Sequence, residues 1–127
     1  MQRVTGIGGI FFRARDAERL REWYRAHLGL PIAEWGGFAF EGREARPGDR
    51  QTSTVWSVFP GDSRYFEPSP SPFMINYRVD DLDGVLAALR AEGCEVESRV
   101  EESEFGRFGW VMDPEGNKIE LWEPPRV

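Results

Sequence analysis

A shift of 65 residues lays the second half of this chain on the first: Phe12 falls on Tyr77, Arg13 on Arg78, Asp16 on Asp81, Leu20 on Val85 and Arg25 on Arg90. With one residue deleted, Gly29 falls on Gly93 and Ile32 on Val96. Strand, helix cap, apolar stripe and helix stop share one offset, which marks a duplicated β-α unit. One unit alone is too short to close a core, so the two must pair, within one chain or between two.

The local signals agree within each copy. Residues 7–14 alternate as a strand, with Ile10, Phe12 and Ala14 on one face and Gly9, Phe11 and Arg13 on the other. Asp16 is placed to cap a helix over 17–27, whose Leu20, Trp23, Tyr24 and Leu28 form an apolar stripe and which Gly29 ends. Residues 31–35, 37–40 and 52–59 read as strands, and 60–72 (PGDSRYFEPSPSP) reads as an irregular connector. The pattern then restarts. Residues 73–79 alternate Phe73, Ile75, Tyr77 and Val79 against Met74, Asn76 and Arg78. Asp81 caps a helix with the stripe Leu82, Val85, Leu86 and Leu89, and Gly93 ends it. Strands are expected at 95–100, 108–112 and 118–122, the last two joined by a turn at 113–117. The expected organisation is one domain over residues 1–127: a first module at about 5–60, a connector at 61–72 and a second module at about 73–124.

Charge and residue counts narrow the function. A net charge of −6 offers no basic face for sequence-independent nucleic-acid binding. The 1 cysteine, Cys94, forbids an intrachain disulfide. No apolar run reaches membrane-spanning length, and the start MQRVTGIGG lacks the apolar core of a leader. A cytoplasmic location follows as the expectation, with neither membrane nor nucleic acid as partner. The 1 histidine, His27, falls at a helix C-terminus, where the dipole favours it.

RARD followed by WYRAHLGL in the first half, and YRVDDL followed by DPEGNKIELWEP in the second, resemble the vicinal oxygen chelate superfamily, which includes glyoxalase I, bleomycin-resistance and fosfomycin-resistance proteins and extradiol dioxygenases. The resemblance covers roughly residues 5–124. It implies an α+β fold of two βαβββ modules, paired ferredoxin-like repeats whose sheet curves around an open cleft with the helices on the outer face. It also implies, for most enzymes of the group, a metal in that cleft held by the first and last strands of each module. Carried onto this chain, those positions hold Gly9, seven residues before Asp16; Met74, seven before Asp81; Trp56 or Ser57; and Glu120. Glycine has no ligand atom, and a thioether suits hard cations poorly. A zinc site takes three or four N, S or carboxylate ligands, and one histidine cannot supply a two-histidine iron site. The expectation is a cleft without metal or other cofactor.

Strand faces opposite the apolar ones should line the cleft. They carry Phe108, Trp110, Met112, Lys118, Glu120 and Trp122 in the late strands, joined by Trp56. Ligand-binding residues are expected among Phe11, Arg13, Trp56, Met74, Asn76, Arg78 and Trp110, an aromatic set of the kind that lines small-molecule sites. Each has a structural alternative: the tryptophans as core, the arginines as partners of cleft acids instead of clamps on an anionic ligand, Asn76 as a satisfied amide. Glu120 either forms a salt bridge or, with its pKa raised by aromatic surroundings, is the catalytic residue, a general base. Three functions stay open. One is a metal-free, homodimeric binding protein of the bleomycin-resistance kind, holding a small molecule. Another is a metal-independent isomerase or lyase using Glu120, or a divergent lactoylglutathione-lyase-like enzyme. The third is an inactive interaction domain.

Overall fold

The computed structural model describes residues 3–42 and 52–126; the expected domain ends at 1, 2 and 127 lie outside the described residues. The first module contains β1 (Val4–Ala14), α1 (Ala17–Leu28), β2 (Gly37–Phe40) and β3 (Thr54–Pro60). The second contains β4 (Phe73–Val79), α2 (Leu82–Ala91), the short β5 (Glu95–Val96) and β6 (Glu101–Ser103), then β7 (Gly106–Met112) and β8 (Lys118–Glu123). Among the described residues these strands form one curved, open 8-stranded sheet in the order β2-β3-β1-β4-β8-β7-β5, with β6 paired to β7. The opening strands of the modules, β1 and β4, meet antiparallel at the centre, and each runs parallel to the last strand of its own module. This is the α+β architecture that the repeat and the resemblance imply.

Both helices start as the sequence dictates. The Asp16 carboxylate accepts from the Arg19 N–H at 3.1 Å, and Asp81 accepts from Gly84 N–H at 3.0 Å. Gly29 closes α1 at φ 68°, a left-handed conformation that favours a residue without Cβ. On the outer face α2 buries Leu82, Val85 and Leu86 against Val79, Val111 and Leu121. The concave face has its own cluster of Phe11, Phe66, Met74 and Trp110.

Two expected strands differ. Residues 31–35 form a turn, with Ile32 N–H bonded to Leu30 O, Ala33 N–H to Gly37 O and Gly36 N–H to Ala33 O. The bonds close locally, and Pro31 has no N–H to give a ladder. The expected strand at 95–100 is reduced to β5 at Glu95–Val96, and the separate β6 follows just beyond it at Glu101–Ser103; the two pair with different stretches of β7. Among the described residues no helix is long and apolar enough to cross a membrane.

Candidate functional site

The concave face begins with glycines. A Cβ on Gly8 would overlap the Asn76 amide oxygen and the Trp122 ring, and one on Gly6 would overlap the Arg78 guanidinium. The GIGG run in β1 therefore lets side chains from β4 and β8 lie across the sheet. Above them opens a cleft of about 780 Å³, within the size range of small-molecule sites. Phe11, Val55 and Phe59 line it from the first module, and Phe108 and Trp122 from the second. Trp35 and Phe105 stand at its lips, both more than half exposed.

The floor is polar on one side only. Parallel pairing of β4 with β8 sets Asn76 beside Glu120, and antiparallel pairing of β7 with β8 sets Trp110 opposite it. Glu120 is 1% exposed. Asn76 Nδ2 donates to its Oε1 at 2.6 Å, and Trp110 Nε1 donates to its Oε2 at 2.9 Å. The Tyr65 hydroxyl also donates to Oε2. Burial pushes the Glu120 carboxyl above its ordinary range; the three donors and the more distant Lys118 charge pull the other way without cancelling it. Burial, and then the Glu120 charge, hold the Tyr65 phenol above its own ordinary range. The Asn76 Oδ1 is buried and has no hydrogen-bond partner.

Tyr65 comes from the connector. Two cations fix that segment: Arg13 donates to the carbonyls of Ser63, Ser69 and Ser71 at 3.4, 3.4 and 3.1 Å, and Lys118 Nζ donates to Tyr65 O at 2.8 Å. Phe66, 0% exposed, drops into the concave cluster beside it. The segment is irregular, as its prolines imply, yet it supplies the cleft with Tyr65.

Of the residues expected to bind a ligand, Phe11 and Asn76 line the cleft together with Glu120, and Trp110 lies in the floor with its indole N–H on Glu120. The other four are placed elsewhere. Trp56 points to the helix side, its ring 5.3 Å from Phe12 and 4.9 Å from Tyr24; the inward residues of β3 are Val55 and Phe59, with Ser57 between them. Met74 is sealed in the concave cluster. Arg13 grips the connector and carries Phe66 under its guanidinium. Arg78 donates to Ile7 O and Ser53 O, both at 2.7 Å. Neither arginine clamps a cleft acid: backbone carbonyls engage both, Arg13 at the connector and Arg78 across Gly6 on the concave face. Tyr65, Phe59, Trp35 and Phe105 were not foreseen as site residues. Each sits in or beside a turn or an aperiodic stretch, and the one signal available was the density of aromatics in RYFEP and SEFGRF.

The metal implied by the resemblance does not fit these residues. Register places Asn76 beside Glu120, and Met74 two residues away; in the first module the corresponding neighbours are Phe11 and Ser57. Glu120 is the one carboxylate among these five, and both of its oxygens already accept hydrogen bonds. Among the described residues no group of three or more His, Cys, Asp or Glu side chains is gathered to hold an ion. His27 lies on the exposed face of α1 against Trp23.

A family model described as glyoxalase-like domain matches residues 9–122. The chain resembles the solved methylmalonyl-CoA epimerase from Mycobacterium tuberculosis with 22% identity and a TM-score of 0.63, covering 98% of this chain and 91% of that one. A Streptomyces coelicolor methylmalonyl-CoA epimerase in complex with 2-nitronate-propionyl-CoA gives 20% identity and a TM-score of 0.64, covering 95% and 98%. A glyoxalase/bleomycin resistance protein/dioxygenase superfamily member from Vibrio splendidus gives 12% identity and 0.57, covering 92% and 97%. At these identities the likeness is one of fold. Comparison with curated proteins gives no match.

Proposed function

Since this chain belongs to the glyoxalase-like domain family, we propose that its cleft holds a small, largely apolar molecule without the help of a metal ion. One observation carries the reading: the carboxylate of Glu120, in the position where the superfamily resemblance puts a metal ligand, is engaged by Tyr65, Trp110 and Asn76. A tyrosine from the connector and an indole N–H do there what a cation would otherwise do, which is to satisfy a buried carboxylate. The aromatic walls supply the affinity, and the floor supplies a few polar groups to orient the ligand. A second reading, a metal-independent isomerase or lyase with Glu120 as general base, draws on the raised carboxyl pKa, which moves such a base toward its working range.

N-phenyl-1-naphthylamine, a neutral probe that brightens in apolar surroundings, tests the binding claim. It should bind the wild type at one equivalent, and Ala39→Trp, which fills the cleft wall, should abolish the signal. Undiminished binding to Ala39→Trp sinks the reading. So does a stoichiometric transition metal that raises the Tm of the wild type and fails to do so in Glu120→Gln. Turnover of thiol adducts of methylglyoxal, lost in Glu120→Gln, would transfer support to the second reading.

A further inference from the structure

We propose that the cleft takes a flat, fused-ring ligand carrying a hydrogen-bond donor, and that Trp35 and Phe105 select it. The inference rests on the metal-free binding reading and adds the shape and polarity of the ligand to it. Among the described residues the aliphatic side chains lining the cleft are Ala39 and Val55; its other apolar side chains are aromatic, and no Leu, Ile or Met reaches it. Two of the ring pairs are stacked nearly parallel. Phe59 and Tyr65 lie 5.7 Å apart with 13° between their planes, and Phe108 and Trp122 lie 6.0 Å apart with 3°. The first pair belongs to the first module and the connector, the second to the second module. Ring surfaces of this kind gain quadrupole contacts with a flat conjugated system that a puckered aliphatic ring of equal area does not offer.

The lips continue the pattern. The phrase Glu-aromatic-Gly occurs twice, as Glu34-Trp35-Gly36 just before β2 and as Glu104-Phe105-Gly106 at the start of β7. β2 and β7 lie toward opposite ends of the curved sheet, so the two rings approach the cleft from its two sides. Both are presented on held backbone. Gly36 N–H donates to Ala33 O at 3.0 Å, and Gly36 O accepts from Val58 N–H at 3.1 Å. Phe105 N–H donates to Ser103 Oγ at 3.1 Å, and Phe105 O accepts from the Trp122 indole at 2.7 Å. Trp35 is 60% and Phe105 64% exposed. Large rings on fixed turns lose little freedom when a ligand arrives, so more of the stacking is kept as affinity.

At the floor the open valence is an acceptor. The oxygens of Glu120 are filled, and Tyr65, Trp110 and Trp122 have given their protons. Asn76 Nδ2 is spent on Glu120. Asn76 Oδ1 is, among the described residues, the one buried side-chain oxygen without a partner. Asn76 is 2% exposed, and its Oδ1 stands over Gly8, itself part of the cleft lining. A buried acceptor kept from water is costly to leave unmet. A ring N–H or O–H at the inner end of the ligand meets it, whereas an ionised carboxylate, which brings acceptors alone, does not.

Carbazole, read by its own fluorescence on the full-length protein, tests this and should bind at one equivalent. Dibenzofuran keeps the flat frame with a ring oxygen in place of the N–H, and should bind about tenfold more weakly in competition. Perhydrofluorene, a saturated tricycle of similar size, should compete more weakly than either. Trp35→Leu and Phe105→Leu keep an apolar side chain and remove the ring; each should weaken carbazole about fivefold with an unchanged circular dichroism spectrum. Phe73→Leu, at an exposed ring outside the cleft, should bind as the wild type does. Dibenzofuran or perhydrofluorene binding as tightly as carbazole overturns the inference, and so do lip variants that bind carbazole undiminished. If N-phenyl-1-naphthylamine still binds in those cases and is lost in Ala39→Trp, the metal-free reading stands without it. Binding of neither probe sinks both.

Discussion

The two helices of the repeat are built on the same sequence pattern and settle at different depths. α2 turns Leu82, Val85 and Leu86 onto Val79, Val111 and Leu121, and all six are buried. The sheet makes room for it at Gly109, where a Cβ would press on Leu86 Cδ1 and Cδ2 at 3.0 and 3.2 Å. α1 has the stripe Leu20, Trp23, Tyr24 and Leu28 and buries none of it. Beneath it stand Phe12 and Trp56, tall rings that meet Tyr24 edge-on. Its attachment is largely polar: Arg21 donates to Val58 O at 2.5 Å, and Arg25 donates to Ile32 O at 3.3 and 3.2 Å. Periodicity tells which face of a helix turns inward. The size of the side chains on the sheet decides how close it comes.

The largest expected effect tests that contrast directly. Leu86→Ala should cost about 3 kcal/mol, because the cavity it leaves is walled by the sheet. Leu28→Ala, more than half exposed in the native chain, should change stability by less than about 0.5 kcal/mol. Urea denaturation of both variants gives the answer, and similar losses would mean that α1 is as firmly seated as α2.

The same contrast explains what could be read in advance. In β4 and β8 apolar and polar residues largely alternate, so Asn76 and Glu120 were assigned to one face and are found there, with Trp110 of β7 opposite Glu120. In β3 the run TVWSVF is apolar on both faces, so its period carries no direction, and Trp56 was given to the wrong side. The connector has no period at all. Tyr65 reaches the cleft, and Phe66 the cluster beside it, because Arg13 and Lys118, some fifty residues distant in either direction, hold the backbone around them. Composition shows that an arginine will seek oxygen; it does not show whether that oxygen belongs to a ligand or to the chain.

Arg13 and Arg78 occupy equivalent positions in the repeat, and both tie down backbone, but they tie different segments. Arg13→Met removes the donor for three carbonyls and should cost about 2 kcal/mol. It should also make the 60–72 segment the first site of tryptic or chymotryptic cleavage under native conditions. Arg78→Met frees the carbonyls of Ile7 and Ser53 and should cost a similar amount while leaving the connector resistant. Equal protease sensitivity in the two variants would show that the connector is held by something other than Arg13.

A last contrast lies between the two halves of the floor, where Phe11 and Ser57 in one module hold the places that Asn76 and Glu120 hold in the other. Burial holds the Glu120 carboxyl above its ordinary range, so the folded chain binds that proton more tightly than the unfolded chain does. The stability gained from the proton is complete below the unfolded value, about 4.3, and is lost as pH rises through the folded value. Glu120→Gln has no such proton. The stability of the wild type minus that of the variant should therefore fall as pH is raised from 4 toward neutrality. Asp83, Glu92 and Asp113 are held below their ordinary range by Arg107, Arg3 and Asn117, and they lose stability in the opposite direction, as pH falls. They are present in both proteins, so the subtraction removes them. Tyr65, Asn76 and Trp110 oppose the burial without cancelling it. A flat difference would mean that Glu120 ionises as a solvated carboxylate does; the polar half of the floor would then be wet, and the two halves would differ in shape but not in dielectric surroundings.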